Sequence, residues 1–441
     1  MNRGSITMHK TTAIVLARMK GQVMKKLFSN TLATGFNFVA KWIFNFALSK
    51  LLTTSAFGAF SLVYSMANVL MNCISFGANL HLIYGVSRNK RKKYDFLLKS
   101  VWISTLITAL AFAAWLIMLP FEIEHVSQFG WSILLGYSMA LSMVLFSFFK
   151  GLGQFDKEAK GFLLFFIVML GVLAWLMFGY QGDSLGYYCM MLFICTIVML
   201  IYGAFRLRIQ MQRDGASLHL VNVTRGLKLY WKEKLPYGLH EMQGALYTHI
   251  NIILLGFLVS DHDLGIYRSI QLLIVPVSIL PSIFSQVQLN QLTQKIGNTP
   301  AFLKSFRLFA MATVGLGLGV YLVYFFAGEP LIGWMYNYEF DASLSGTLIT
   351  CFTLAFLVKF FSSNYGVLIT SVGNQRVRVY VTFISIVLSV SLTLIFAQTH
   401  GIIGAAYAMV AANVAIFICY AAYGELIILK RLKHAHSSIG T

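Results

Sequence analysis

Long apolar segments alternate with short polar segments along the whole of this chain. An apolar segment of about 20 residues is long enough to cross the hydrocarbon core of a bilayer as a helix. The pattern predicts twelve such helices, at 28–50, 57–82, 99–119, 129–149, 161–179, 186–206, 236–258, 265–289, 305–327, 347–371, 377–397 and 403–428. We therefore expect an all-α polytopic membrane protein.

The first two spans each carry a polar face. The face of the first span consists of Asn30, Thr34, Asn37, Lys41, Asn45 and Ser49 at helical spacing. The face of the second consists of Ser61, Ser65, Asn68, Asn72, Ser75 and Asn79. A lysine near the bilayer midplane costs about 2.5–3.5 kcal/mol unless it faces protein or water. These faces predict a polar cavity that contains Lys41 and is lined by Asn37, Asn45, Asn68 and Asn72.

Composition and charge support a membrane protein and define its topology. The chain has 441 residues, of which 58% are hydrophobic and 11% charged, with a formal net charge of +19. Lysine and arginine fall in alternate loops, whereas the loops 51–56, 120–128, 180–185, 259–264, 328–346 and 398–402 contain neither. The positive-inside rule then predicts cytoplasmic N and C termini. The basic charge follows the membrane topology, so we expect no nucleic acid partner.

Cysteine spacing and loop length argue against metal and catalytic chemistry. The five cysteines lie inside apolar spans without the spacing of a disulfide or metal site. We expect no cofactor and no metal, and the loops leave no room for a catalytic domain. Residues 1–26 lack the features of a cleavable signal peptide. Met24 precedes Lys-Lys-Leu in the manner of a bacterial start, so Met1 and Met24 are both candidate start residues.

Two pairs of motifs indicate an internal repeat. Ala56-Phe-Gly-Ala-Phe60 resembles Asp263-Leu-Gly-Ile-Tyr267, which aligns their central glycines at an offset of 207. Gly151-Leu-Gly-Gln154 resembles Ser371-Val-Gly-Asn374 at an offset of 220. The repeat predicts two parallel six-helix lobes around a central cavity. The expected divisions are a tail at 1–27, an N-lobe at 28–206, an interlobe loop at 207–235, a C-lobe at 236–428 and a tail at 429–441.

Further ionisable residues fall inside the C-terminal spans. Under the offset of 207, the polar face of the first span corresponds to a face of the seventh span that contains Glu241. Arg268 and Gln271 lie in the eighth span, and Lys359 lies in the middle of the tenth. We interpret Lys41, Arg268 and Lys359 as cavity cations that bind an anionic substrate, with Gln271 beside them.

Glu241 and His249 are the candidates for ion coupling. Structural alternatives remain open for these residues. In one alternative, Lys41 and Glu241 form a structural ion pair; in another, Glu241 caps a helix at the surface. Arg268 could extend to the membrane surface instead of binding substrate. His249 could be a hydrogen-bonded packing residue with no part in ion coupling.

Several segments carry a family resemblance. They are Lys50-Leu-Leu-Thr-Thr-Ser-Ala-Phe-Gly-Ala-Phe-Ser-Leu-Val63, Ser75-Phe-Gly-Ala-Asn79, Lys234-Leu-Pro-Tyr-Gly238, Trp334-Met-Tyr-Asn-Tyr338 and Gly401-Ile-Ile-Gly-Ala-Ala406. Over residues 24–428 the chain resembles the polysaccharide flippases of the MATE-like, or MOP, superfamily, and most of all the O-antigen flippases. The resemblance implies a transporter, not an enzyme.

By this resemblance, the substrate would be an undecaprenyl-diphosphate-linked oligosaccharide that is flipped by alternating access across the bacterial inner membrane. The implied partners are this lipid-linked glycan, membrane lipids, and the polysaccharide polymerase and chain-length machinery. The resemblance also implies a cationic central cavity, and we expect Lys41, Arg268 and Lys359 to be its cations.

Three other functions are weighed against this one. A multidrug or small-molecule cation antiporter of the same superfamily would need acidic residues in the N-lobe, and spans 1–6 contain none. The lipid II flippase branch resembles fourteen-span proteins. An O-antigen polymerase or ligase would need a large extracytoplasmic loop. The sequence leaves open the glycan, the coupling ion and the oligomeric state.

Overall fold

The structure is a computed structural model that describes residues 32–121, 125–179, 182, 184–216, 226–336 and 340–432. Within these ranges the secondary structure is helical and contains no strand. The N-terminal tail, Asn30 and parts of the interlobe loop and C-terminal tail lie outside the described residues. The all-α class predicted from the sequence is confirmed.

The helices are named here in chain order. They are α1 (32–51), α2 (Thr54–Ser75), α3 (Ala78–Arg88), α4 (Lys93–Met118), α5 (Val126–Gly151), α6 (Phe155–Gly179), α7 (Leu185–Asp214), α8 (Leu227–Leu258), α9 (Asp261–Ile274), α10 (Leu280–Thr293), α11 (Thr299–Tyr336), α12 (Ala342–Ser371) and α13 (Gln375–Tyr423). A 3-10 turn at Val275–Ile279 joins α9 to α10. Gly401 divides α13, because its φ of 56° and ψ of −136° are not helical.

Where the chain is described, the predicted spans fall on helical structure except at Phe76 and Gly77, which form a turn inside the second span. Eight helical stretches in the described ranges are long and apolar enough to cross a membrane, and one of them, Arg376–Leu432, contains both of the last two predicted spans. The chain is therefore a multi-pass membrane protein. The total of twelve crossings stays a prediction.

Helix α11 extends further than the sequence pattern predicted. The expected span was 305–327, followed by a loop at 328–346, but the helix continues to Tyr336 through Pro330. Ile332 and Tyr336 are buried in a core that also contains Leu348 and Phe352. Burial of these side chains stabilises the last turns, so that part of the predicted loop is wrong.

The chain divides into two compact units. One comprises the described residues of Met1–Phe44 and of Ala67–Met242, and the other comprises Asn45–Met66 and the described residues of Gln243–Thr441. In the first unit, α5 is a mainly buried helix. In the second, Leu255, Leu264 and Tyr267 pack with residues of α12 and α13.

The first motif pair forms a reciprocal contact inside the second unit. A Cβ atom added to Gly58 of α2 would overlap the carbonyl group of Asp261, and one added to Gly265 of α9 would overlap that of Thr54. Thr54 and Asp261 are related by the same offset of 207 as the two glycines. Each helix therefore presents the same position to the other, and the aligned glycines are structural equivalents.

The second motif pair forms two copies of one helix ending. Gly153 and Gly373 are left-handed, with φ values of 78° and 85°. The same two backbone hydrogen bonds close each turn: Gly153 N–H to Lys150 C=O and Gln154 N–H to Phe149 C=O, and Gly373 N–H to Thr370 C=O and Asn374 N–H to Ile369 C=O. This pattern is the Schellman motif, which favours glycine at the left-handed position.

A polar pair spans each of these turns. The ammonium group of Lys150 lies 2.7 Å from a carboxylate oxygen of Glu158, which is almost fully buried. At the positions 220 residues later, Arg378 Nη1 donates a hydrogen bond of 2.7 Å to Thr370 Oγ1. The repeat thus preserves the position of the contact while its chemistry differs.

Candidate functional site

The predicted polar face of α2 points into the protein. Ser61, Ser65 and Ser75 have no solvent exposure, and Asn68 is 8% exposed. The Asn72 side-chain amide donates a hydrogen bond of 2.9 Å to the Asn68 carbonyl oxygen. A polar face that avoids the lipid is what an internal pathway requires.

The predicted site residues are distributed over both units. Lys41, Asn37, Asn68, Asn72 and Glu241 belong to the first, and Asn45, Arg268, Gln271, Lys359 and His249 belong to the second. On α1, Lys41 and Asn37 are half-buried, and Asn45 is buried. His249 is half-buried on α8. Their roles in binding or coupling stay predictions.

Arg268 is buried inside the second unit. Its side chain is 8% exposed, and Nη1 donates a hydrogen bond of 2.6 Å to Gln271 Oε1. The phenol groups of Tyr64 and Tyr267 are close enough to interact with it electrostatically. The structure brings Arg268 and Gln271 together as the sequence placed them. The alternative in which Arg268 extends to the surface is wrong.

Lys359 lies in the middle of α12 and belongs to the same unit as Arg268. It is half-buried, and its ammonium group lies 5.6 Å from the centre of the Phe356 ring, a cation–π distance. Within the described part of the chain, neither Lys359 nor Arg268 forms a salt bridge with a carboxylate. Two cations in apolar helices without carboxylate partners favour an anionic ligand.

Glu241 closes a break in the second predicted span. Helix α2 ends at Ser75, Phe76 and Gly77 adopt left-handed φ values of 42° and 77°, and α3 restarts at Ala78. Gly77 offers no side chain to cap α3. The Glu241 carboxylate supplies the cap from α8, accepting hydrogen bonds from the Leu80 N–H at 3.4 Å and from the Asn79 amide at 3.2 Å.

Sequence reasoning missed both this break and a buried lysine beside it. Lys234 is fully buried, and its ammonium group has no hydrogen-bond partner among the described residues. The sequence places Lys234 in the predicted interlobe loop at 207–235, whereas the structure places it in α8. The sequence signal for the break is Gly77 in the motif Ser75-Phe-Gly-Ala-Asn79, because glycine readily adopts the left-handed φ found there.

Metal ligation finds no support in the described ranges. They contain no group of three His, Cys, Asp or Glu side chains placed to hold a metal ion. The described cysteines are free.

Solved structures show the same fold. An inward-facing multidrug resistance MATE family transporter of the MOP superfamily is 15% identical, with a TM-score of 0.69, over 92% of this chain and 99% of that chain. The lipid II flippase MurJ, in an inward closed conformation, is 14% identical, with a TM-score of 0.71, over 89% and 86%.

A third solved structure is a MOP superfamily transporter from Pyrococcus furiosus Vc1, described as having a binding pocket of reverse polarity. It is 15% identical, with a TM-score of 0.62, over 93% of this chain and 96% of that chain. At 14–15% sequence identity, the similarity to these three structures establishes the fold of this chain.

Among curated protein sequences, none matches this chain significantly. A family described as polysaccharide biosynthesis protein matches residues 23–289, which is more than half of the chain. The chain therefore belongs to this polysaccharide biosynthesis protein family and has the fold of the MOP superfamily transporters.

Proposed function

We propose that the protein is a flippase for an undecaprenyl-diphosphate-linked oligosaccharide, an O-antigen or related surface polysaccharide repeat unit. It carries this unit from the cytoplasmic to the periplasmic leaflet of the bacterial inner membrane by alternating access, with both termini in the cytoplasm. The observation that carries the proposal is the pair of intramembrane cations, Arg268 and Lys359, neither of which forms a salt bridge with a carboxylate in the described part of the chain.

The diphosphate group matches these cations. Arginine presents a planar set of donors to phosphate oxygens, and lysine presents a compact charge. Both interactions strengthen where water is excluded. Movement of negative charge out of an inside-negative cell also gains about 2.3 kcal/mol per charge per 100 mV. The remaining polar residues, Asn37, Asn45, Asn68, Asn72 and Gln271, line the path with neutral hydrogen-bonding groups.

Lys41 completes the proposed set of substrate-binding cations, and Glu241 and His249 are the proposed ion-coupling groups. The polyprenyl tail stays in the lipid while the head group moves. The polymerase and chain-length machinery that receive the repeat unit are the proposed protein partners.

Cation antiport is the second candidate, because a multidrug transporter shares the fold. The chemistry of the described residues favours an anion. Glu241 is engaged in capping α3, whereas Arg268 and Lys359 carry charges that a cationic drug would meet unfavourably. The family name also favours polysaccharide biosynthesis.

Deletion of the gene in its host tests the proposal. We expect loss of surface polysaccharide and accumulation of the lipid-linked repeat unit on the cytoplasmic side, both measured by gel analysis and mass spectrometry. A plasmid copy restores both, and a copy with Arg268→Gln does not. Normal polysaccharide in the deletion strain, combined with sensitivity to cationic drugs, would instead establish the antiporter.

A further inference from the structure

We propose that the first turn of α3 is a diphosphate-binding site whose resident occupant, the Glu241 carboxylate, is displaced by the ligand. This inference rests on the proposed flippase function and adds a binding site distinct from Arg268 and Lys359. The ligand chemistry is a diphosphate, either free or attached to a lipid. All groups of the site belong to the first unit.

The start of α3 presents donors that suit an anion. The left-handed residues Phe76 and Gly77 turn the chain so that N–H groups of the new helix are free of partners in α2. A helix N-terminus favours negative charge through these N–H groups and through the helix dipole. Glu241 already exploits this property, since it accepts hydrogen bonds from the Leu80 N–H and the Asn79 amide.

Those two hydrogen bonds are long, at 3.4 and 3.2 Å, and the Gly77 N–H is a further backbone donor to the same carboxylate. A phosphate oxygen is not tied to the backbone of α8 and can approach the same donors more closely.

Lys234 is the second, independent feature that points to a ligand. It is fully buried, and its ammonium group has no hydrogen-bond partner among the described residues. It lies seven residues before Glu241, which places both on one face of α8, and the two charges interact electrostatically. Both carboxylate oxygens of Glu241 are directed at α3, so the ammonium donors stay unused. A diphosphate has enough oxygens to bind the α3 turn and Lys234 together.

The site is fixed in position by packing. A Cβ atom on Gly77 would overlap the backbone of Gly238 in α8, so the break in the span is held directly against that helix. The ring of Phe76 stacks on Trp231 at 4.8 Å between centres. From α5, the Ser147 hydroxyl donates to Asn79 Oδ1 at 3.3 Å, which leaves the Asn79 NH2 group facing Glu241.

Other titratable groups near the site are His81 of α3 and Glu233 of α8. The ring of His81 packs against Tyr230, and its Nε2 atom lies 3.9 Å from Glu233 Oε2. The Glu233 side chain is 56% exposed, so solvent screens its charge. Among the described residues, the charges shielded from solvent at the α3 turn are therefore those of the half-buried Glu241 and the fully buried Lys234.

The experiment is calorimetric titration of the purified full-length protein, in phosphate-free detergent buffer at pH 7, with inorganic pyrophosphate. We expect Glu241→Gln to bind about tenfold more tightly, because a neutral amide competes less well than a carboxylate for the helix N-terminus. We expect Lys234→Gln to bind about tenfold more weakly, because it lacks the charged donor. Glu233→Gln is the matched control, one residue away on α8, and should bind as the wild type does.

The sign of the Glu241→Gln effect decides the proposal. A carboxylate with a purely structural role predicts unchanged or weaker binding in this variant, and that result would overturn the site. Unchanged binding in Lys234→Gln would overturn it as well. Thermal unfolding of each variant establishes that it is folded, and Asn79→Ala supplies an independent loss of one donor that should also weaken binding.

A second titration with farnesyl diphosphate distinguishes the two sources of the ligand. Tighter binding than that of pyrophosphate supports a lipid-linked diphosphate, and equal binding supports recognition of the diphosphate group alone. If the protein exports polysaccharide normally but binds neither probe, the proposed site at α3 is overturned, whereas the proposed flippase function is not. Binding of pyrophosphate by a protein whose deletion leaves polysaccharide unchanged contradicts the proposed function and not this site.

Discussion

At the scale of single residues, the most informative charge is that of Arg268, which is buried without a carboxylate partner among the described residues. Its one hydrogen bond to a side chain among those described is to a neutral amide, Gln271 Oε1, at 2.6 Å. A buried charge is costly unless it is paired and hydrogen-bonded. The guanidinium group is thus oriented but its charge is not neutralised, which is the arrangement that a transported anion would complete.

Arg268→Lys keeps the charge and removes the planar donor set. We expect about tenfold slower polysaccharide export, because the compact ammonium group of lysine cannot present the planar, bidentate donor set that arginine offers to phosphate oxygens. Rate is measured as the appearance of surface polymer after induction. Gln271→Glu is the companion variant, since it neutralises Arg268 and should reduce export more strongly. Full export in both variants would remove Arg268 from the proposed site.

Lys41→Ala and Lys359→Ala test the other two cations. Each is expected to lower surface polysaccharide about tenfold, the effect of losing one charge-assisted hydrogen bond, while the protein still inserts into the membrane. Membrane amount is measured by immunoblot. The exposed Lys430→Ala is the control and should export normally. Wild-type polymer levels in both cavity variants would contradict the assignment.

The sequence was sufficient to identify these cations but not the partners of Glu241. A lysine or arginine inside an apolar span is conspicuous because burial is costly. The cap on α3 depends on a positive φ at Phe76. Residues other than glycine rarely adopt this backbone conformation, and no local propensity predicts it here. It also depends on packing between α3 and α8, which the sequence of either helix alone does not reveal.

At the scale of helices, the close approach of α2 and α9 depends on glycine at two related positions. Gly58→Ala and Gly265→Ala each place a methyl group against a backbone carbonyl. We expect each to destabilise the protein by about 1–3 kcal/mol, the usual cost of overpacking. Thermal unfolding in detergent measures the loss.

Gly171→Ala provides the matched control for this prediction. A Cβ atom there meets no other atom within 4 Å, so this variant should be as stable as the wild type or more stable. If all three alanine variants unfold at the wild-type temperature, the reciprocal contact is not needed for stability.

The polar pair across the second Schellman turn, Thr370 and Arg378, can be introduced by mutation at the equivalent positions of the first turn, Lys150 and Glu158. Glu158→Arg alone brings a second cation to Lys150 and should destabilise the first unit, since like charges repel in a partly buried site. The double variant Lys150→Thr with Glu158→Arg recreates the pair Thr370 and Arg378. We expect it to recover most of the unfolding temperature. A double variant no more stable than the single one would mean that the pairs are not equivalent.

Helix boundaries were predictable to the extent that they follow hydropathy. In the eighth span, Pro276 and Pro281 favour a departure from regular α-helix, and a 3-10 turn lies at Val275–Ile279. The extension of α11 to Tyr336 was not predictable from the sequence, because Glu329 and Pro330 interrupt the apolar run and proline disfavours a helix interior. Tertiary burial of Ile332 and Tyr336 decides its conformation.

At the scale of the whole molecule, pattern and charge determined the class of protein. A hydrophobic content of 58%, together with loops that alternate between basic and free of lysine and arginine, left only a polytopic membrane protein. The structure confirms the helical class, and the solved MOP superfamily transporters share its fold at 14–15% identity. Helix packing in a membrane thus tolerates nearly complete replacement of side chains, and the function must be argued from the few polar ones that remain inside.

Reconstitution into liposomes tests directly whether the protein moves a lipid-linked oligosaccharide across a bilayer. The purified protein is incorporated with a fluorescent undecaprenyl-diphosphate-linked oligosaccharide, and arrival of the glycan at the opposite leaflet is followed with a membrane-impermeant lectin. We expect wild-type protein to accelerate this arrival and Arg268→Gln not to, with Lys430→Ala as the active control. If the glycan arrives only at the rate of protein-free liposomes while folded wild-type protein is present, the protein is not a flippase for this substrate.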